Sequence, residues 1–129
     1  FEPFVQNIDY APTFTDMAGG KIPDGLHGRS IVPILRGETP ADWRKSVYYH
    51  YYDDNGAHNV AKHYGVRTER YTLAYYYTTE EWEMFDNEQE PEQVRSVYAD
   101  PAYAKTLSEL KSELGRLRRL YQDSDETRD

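Results

Sequence analysis

The sequence contains no cysteine. That excludes disulfides, thiolate zinc sites and a cysteine nucleophile, and leaves the redox compartment undecided. No apolar run approaches the roughly 18 residues of a membrane span. No basic n-region followed by an apolar h-region is present, so no signal peptide is legible. Basic residues form no stripe of the kind nucleic-acid binders carry, and nucleic acid is excluded as a partner. An initiator Met is also missing. The chain opens Phe1-Glu2-Pro3-Phe4-Val5, which we read as the start of a fragment whose upstream part is absent.

What is present is one ordinary domain's worth of chain, 129 residues with 38% apolar, 29% charged and 15% aromatic side chains. Thirteen tyrosines supply ring surface that the apolar count undervalues, so a modest core is expected. Net charge is −8 and unevenly spread: residues 1–79 carry −1, residues 80–99 carry −6 and residues 100–129 carry −1. The acidic stretch is expected to be largely a solvated loop.

The pattern along the chain predicts an α+β fold. Gln6 to Ala18 has weak helical spacing, with Asp9 as capping residue, Pro12 in the first turn and Gly19-Gly20 as the stop. Lys21 to Thr39 reads as extended coil with one helical turn at Ile31–Leu35. Ser46–Tyr52, Tyr64–Thr68, Tyr71–Tyr77 and Trp82–Phe85 are rich in aromatic and β-branched residues and read as four short antiparallel strands. Asp53-Asp54-Asn55-Gly56 is a strong turn. Nine of the 13 tyrosines fall between 48 and 77, which suits a sheet with one covered and one wet face. Asp100 caps and Pro101 starts the clearest element. Tyr103, Leu107, Leu110, Leu114, Leu117 and Tyr121 then trace one stripe of a long helix that must cover something, and the sheet is the obvious partner. Residues 123–129 read as a fraying polar tail.

Several strings occur together and in order: Asp9-Tyr10-Ala11-Pro12-Thr13, Asp16-Met17-Ala18-Gly19, Pro23, His27-Gly28-Arg29-Ser30, Pro33-Ile34-Leu35-Arg36-Gly37, Trp43-Arg44, Gly65-Val66-Arg67-Thr68, Glu83-Met84-Phe85-Asp86 and Glu90-Pro91-Glu92. Each is weak alone. The ordered set, covering essentially the whole chain, resembles the C-terminal part of the type I, formylglycine-dependent sulfatases. The resemblance implies that residues 1–43 are the end of a large alkaline-phosphatase-like α/β domain and its connector. Residues 44–129 would then be the small subdomain, a four-stranded antiparallel sheet with a long C-terminal helix packed on it. It also implies a sulfuric ester hydrolase as the parent, a sulfated carbohydrate substrate, calcium and formylglycine as cofactors, and an upstream sulfatase domain as partner. A secreted, periplasmic or lysosomal setting goes with it, although the segment itself leaves localisation unknown.

The nucleophile of that family is made from Cys or Ser in a [CS]-x-P-x-R motif, and no such string exists here; Ser30-Ile31-Val32-Pro33 has its proline one place too late. No catalytic residue is therefore expected in this segment, and the segment alone is expected to be inactive. Neither calcium nor formylglycine is expected to be bound by it. Asp53, Asp54 and Asn55 lack the spaced oxygen ligands of a calcium loop. Three histidines for zinc, His50, His58 and His63, would need a loop folded back on a strand, so no metal site is expected.

The string His58-x-x-x-x-His63-Tyr64-Gly65-x-Arg67-Thr68 is similar to versions in sulfatases acting on glycosaminoglycan sugars, N-acetylglucosamine-6-sulfatase-like and heparan-type members. On that resemblance His58, His63, His50 and Arg67 are the substrate-binding candidates. Imidazole and guanidinium there would hold the sugar's hydroxyls, carboxylate or N-substituent. The residues themselves leave two readings open: the histidines as loop-surface residues, and Arg67 as the partner of a carboxylate inside the small domain. A stand-alone, tyrosine-rich binding module without catalysis is the alternative function.

Overall fold

The computed structural model describes residues 2–53 and 60–123. The chain forms two compact units, Phe1–Lys45 and Ser46–Asp129.

In the first unit a 3-10 turn, Asn7–Asp9, leads into helix α1, Tyr10–Met17. The expected stop is a paired one. Gly19 adopts a left-handed φ of 69°, its N–H donates to the Asp16 carbonyl, and the Gly20 N–H donates to the Thr15 carbonyl. Helix α2, Val32–Leu35, is the single turn expected, and it ends the same way at Gly37 and Glu38. Asp9 does not cap α1, as the local pattern suggested; its side chain makes no cap bond. Instead its carboxylate is fully buried. It accepts the Gln6 and Arg29 backbone N–H groups at 2.8 and 2.9 Å and both Arg44 guanidinium arms at 2.6 Å. Gly28 lets the two segments meet, since a Cβ there would stand 1.9 Å from the Ile8 carbonyl oxygen. Trp43 is buried, donates its indole N–H to the Phe4 carbonyl at 2.9 Å, and lies under both the Arg29 and Arg44 guanidinium groups. Arg44 is therefore tied into the first unit.

The second unit is the expected sheet and helix. Strands β1 (Ser46–Tyr51), β2 (His63–Thr68), β3 (Tyr71–Tyr76) and β4 (Glu81–Asp86) pair antiparallel in chain order. Helix α3 (Ala104–Leu120) covers one face. Asp100 accepts the Ala102 N–H, but on a 3-10 turn, Pro101–Tyr103, that precedes α3. The leucine stripe lands as spaced: Leu110, Leu114 and Leu117 are buried against Tyr64, Val66, Leu73 and Met84, with Tyr103, Leu107 and Tyr121 half-buried around them. Lys111, which is not part of the stripe, bonds the Tyr98 hydroxyl at 2.8 Å and lies 4.5 Å above the Trp82 ring.

The acidic stretch departs from a solvated loop. Its first part is β4, and Asp86 is fully buried, bonded by Arg70 at 2.7 and 2.9 Å and by the Tyr103 hydroxyl at 3.1 Å. Arg70 and then Tyr103 hold the Asp86 carboxyl down to about 2, against the penalty of burial. The free edge of β4 is closed by Val97, whose N–H donates to the Met84 carbonyl at 2.8 Å, and by Ser96, whose hydroxyl accepts the Met84 N–H. Asp123 is likewise no part of a frayed tail: its side chain is 6% exposed and accepts from Tyr48 and His50.

Candidate functional site

Side chains alternate across a strand, and directly opposed residues of an antiparallel pair share a face. The register therefore sorts the candidates. Tyr51 opposes His63, Tyr49 opposes Gly65, and Thr72, Ala74 and Tyr76 oppose Arg67, Gly65 and His63. Glu83 opposes Ala74 and Phe85 opposes Thr72. These residues form the face away from α3. His50 opposes Tyr64, which belongs to the core, so His50 lies on the helix side.

The structure thus places His63 and Arg67 on one face of the sheet, four residues apart along β2, and puts His50 on the other face. The His50 side chain is 3% exposed. Its Nδ1 is 2.9 Å from the Asp123 carboxylate, its Nε2 is 3.3 Å from the Tyr77 hydroxyl, and its ring stacks on Tyr52 at 3.7 Å. Burial, then the adjacent Asp123 charge, pushes the neighbouring Tyr48 phenol well above its usual range. His58 lies outside the described residues, as do Asp54, Asn55 and Gly56 of the turn.

His63 opens β2 rather than sitting in the loop before it. Its Nδ1 is 2.8 Å from the Ala61 carbonyl, which makes Nδ1 the protonated nitrogen of the neutral ring. Nε2 then carries the lone pair and bonds no described residue. Rings of Tyr76, Tyr51 and Tyr49 surround it at 5.0, 5.5 and 5.8 Å. A groove of about 480 Å³ opens past Tyr76, lined by Ala61, Thr79, Glu81 and Glu83. Its carboxylates are hydrogen-bond acceptors for hydroxyl or amine donors.

Arg67 marks the other end. Its Nη1 donates to the Thr72 hydroxyl at 3.1 Å and approaches Asn87 Oδ1 at 3.5 Å. No carboxylate ion-pairs with it among the described residues. The expected alternative, a carboxylate partner within the domain, is met by Arg70 with Asp86 instead.

Tyr49 stands between them. Its ring lies over Gly65, where a Cβ would meet Tyr49 Oη at 2.4 Å and Cζ at 2.5 Å. Burial chiefly raises its phenol to about 12, with Glu83 adding to the rise and Arg67 opposing it, so it is a donor at neutral pH. Tyr76 is also raised to about 12, by burial and then by its bond to Glu83. Sequence reasoning missed Tyr49, Tyr76 and Glu83. The usable signal was Gly65, since glycine inside a strand marks a close approach.

Among the described residues no group of three or more His, Asp or Glu side chains converges as a metal would require, and no helix is long and apolar enough to cross a membrane.

The chain is similar in sequence and fold to known proteins. A family model described as N-sulphoglucosamine sulphohydrolase, C-terminal, matches residues 1–120. An N-acetylglucosamine-6-O-sulfatase of Bacteroides thetaiotaomicron is 42% identical over 122 residues, 92% of this chain and 22% of that protein. A solved structure of a complex with its substrate D-glucosamine-2-N,6-O-disulfate superposes with TM-score 0.86 and 41% identity, over 91% of this chain and 24% of the other. The phosphonate monoester hydrolase of Agrobacterium radiobacter superposes with TM-score 0.77 and 25% identity, over 92% and 26%. The chain spans 22% of the length of the curated relatives it matches.

Proposed function

Because the chain belongs to the N-sulphoglucosamine sulphohydrolase C-terminal family, we propose that it is the C-terminal portion of a sulfatase, a sulfuric ester hydrolase acting on a sulfated glycosaminoglycan sugar. The observation that carries the reading is the alignment of His63, Tyr49 and Arg67 on the sheet face opposite the helix. An acceptor nitrogen, a phenol donor and a guanidinium with no carboxylate partner among the described residues, spaced along one face, match a sugar's hydroxyls and its anionic substituents.

The substrate contacts proposed for this segment are His63 and Arg67. His50 is left out because it is enclosed beneath α3 with both ring nitrogens engaged. Cleavage itself is assigned to an upstream domain. Calcium and formylglycine belong there as well, since the residues present fit neither: no [CS]-x-P-x-R string exists, and no cluster of metal-ligating side chains converges among the described residues.

Residues 1–43 are proposed as the end of that upstream α/β domain, and 44–129 as the small subdomain. Tyr10, Phe14 and Met17 support this. They stand 54, 67 and 66% exposed along one side of α1, an apolar stripe that an upstream domain would cover. The parent's setting is proposed as secreted, periplasmic or lysosomal, and a leader sequence upstream of Phe1 would test it.

The test of function is made in the full-length parent. His63→Ala should lower kcat/KM on the sugar sulfate about tenfold, the worth of one hydrogen bond of about 1–2 kcal/mol. It should leave a small aryl sulfate nearly untouched, because that substrate lacks the groups the histidine holds. Equal losses on both substrates would assign His63 to folding or chemistry instead.

A further inference from the structure

We propose that Arg67 and Tyr49 form a receptor for an oxyanion of the sulfate or carboxylate class, a substituent of the sugar other than the ester cleaved, and that Thr72, Asn87 and Gln93 are positioning residues for Arg67. The inference deepens the sulfatase reading and rests on it for the identity of the sugar.

The arginines differ in what their guanidinium forks hold. Arg44, Arg70 and Arg116 each carry a carboxylate on their fork, from Asp9, Asp86 and Glu113. Arg67 lies beside the most acidic part of the chain and has none among the described residues. Its partners are neutral, and they form a closed set. Gln93 Nε2 donates to Asn87 Oδ1 at 2.6 Å and to the Thr72 hydroxyl at 3.1 Å, and Thr72 and Asn87 take the one guanidinium arm, Nη1. The set fixes the guanidinium without neutralising it. Nε and Nη2 bond no described residue, and neither is a buried orphan, so both are open to a ligand.

Two further features mark the arrangement as specialised. Gln93 holds a left-handed φ of 52°, sparsely used by residues with a Cβ, and this conformation goes with the reach of its amide to Thr72 and Asn87. Gly65 lets the Tyr49 phenol lie across the strand, two residues and roughly 6.7 Å along β2 from Arg67 on the same face. The Tyr49 hydroxyl, like the free fork of Arg67, has donor capacity unspent among the described residues. A planar fork with a single phenol beside it suits the oxygens of a sulfate or carboxylate, and an uncharged sugar would leave the charge unanswered.

The test titrates the chain with glucosamine 2-N-sulfate, with glucuronate and with N-acetylglucosamine, following arginine Nε–Hε resonances by NMR. One or both anionic sugars should shift the Arg67 signal saturably, and the arm that does so identifies sulfate or carboxylate; N-acetylglucosamine should not. Tyr49→Phe should weaken binding about three- to tenfold, and Arg67→Lys tenfold or more. Gln93→Glu is the decisive variant. It places a carboxylate in the positioning set, so anion affinity should fall tenfold or more while the melting temperature holds or rises. A merely structural role for Gln93 predicts unchanged affinity. No saturable shift with either anion, an equal response to N-acetylglucosamine, or unchanged affinity in Gln93→Glu and Tyr49→Phe would each overturn the receptor. In the parent, sugar-sulfate turnover that is absent while anion binding persists would remove the sulfatase reading alone.

Discussion

The two units of the chain are held together by different physics. The first, Phe1–Lys45, is organised around a buried charge: Asp9 gathers two backbone N–H groups and a guanidinium, and Trp43 is the one buried large apolar side chain among its described residues. Val5, Ile8, Tyr10, Phe14, Met17, Leu26 and Leu35 all remain exposed around it. The second, Ser46–Asp129, has a continuous apolar layer between sheet and helix, and its buried charges, such as Asp86, sit at the edge of that layer. A polar hub fixes geometry strongly and contributes modest net stability, because desolvation offsets much of the attraction. An apolar layer contributes in proportion to the area it removes from water. A segment built on a hub with its apolar side chains outside is suited to leaning on a larger body, and a segment with its own layer is suited to standing as a platform.

Each unit carries one of the two tryptophans, Trp43 and Trp82, so variants keeping a single tryptophan read the units separately by fluorescence during denaturation. The largest effect is expected from Asp9→Ala. It leaves Arg44 unpaired in a site where the arginine is 10% exposed, and should destabilise the first unit by about 3–5 kcal/mol, with the Trp82 transition unmoved. Next comes Leu114→Ala, expected to cost the second unit about 2–5 kcal/mol with the Trp43 transition unmoved. If both variants shift both transitions equally, the contrast between the units is lost.

Acid should expose the hubs of both units. Asp86 in the folded chain titrates at about 2, below its ordinary 3.8. The stability it lends is therefore present above about pH 4 and is lost as pH falls toward 2. Asp9 is also lowered. Burial alone would raise it, but the Arg44 bonds and the Arg29 and Gln6 N–H groups outweigh that, so its contribution fades in the same direction. Urea midpoints at pH 5 and pH 2.5 should drop for both tryptophan signals, and Asp86→Asn should flatten the drop for Trp82. An unchanged slope in Asp86→Asn would assign the acid sensitivity elsewhere. The smallest effect is expected from Glu109→Ala, on the outer side of α3 with only a loose contact to Lys105 at 3.8 Å, which should stay within about 0.5 kcal/mol.

What was legible in the sequence follows from where the determining contact lies. The α3 stripe is set by spacings of three and four residues within one segment, and the Gly19-Gly20 stop by two adjacent residues; both were found. Asp9 was misassigned because its capping signature is local, while its real partner Arg44 is 35 residues away. The strands were found within a residue or two by their aromatic and β-branched content. Their faces were harder to read. Tyr48-Tyr49-His50-Tyr51-Tyr52 repeats one residue type on both sides of the strand, so no alternation announces which side is wet, and a one-residue frame decides it. That frame put His50 beneath the helix and Tyr49 beside Arg67. The positioning residues Asn87 and Gln93 lie in an acidic, turn-rich stretch where composition points only to solvation, and their role appears only once β2 and β3 are paired.

The simple order of the sheet has a consequence in time. Because β1 to β4 pair strictly in sequence, every strand finds its partner within a short loop or one longer connection, and the meander can close progressively as the chain leaves the ribosome. Its lid cannot. Val66, Leu73 and Met84 need Leu110, Leu114 and Leu117 to cover them, and those leucines are synthesised about 1–7 s after Met84 at ordinary elongation rates. During that interval the nascent sheet shows an uncovered apolar face. Ser96 and Val97 arrive first and close the β4 edge, the direction along which a second nascent chain would otherwise add.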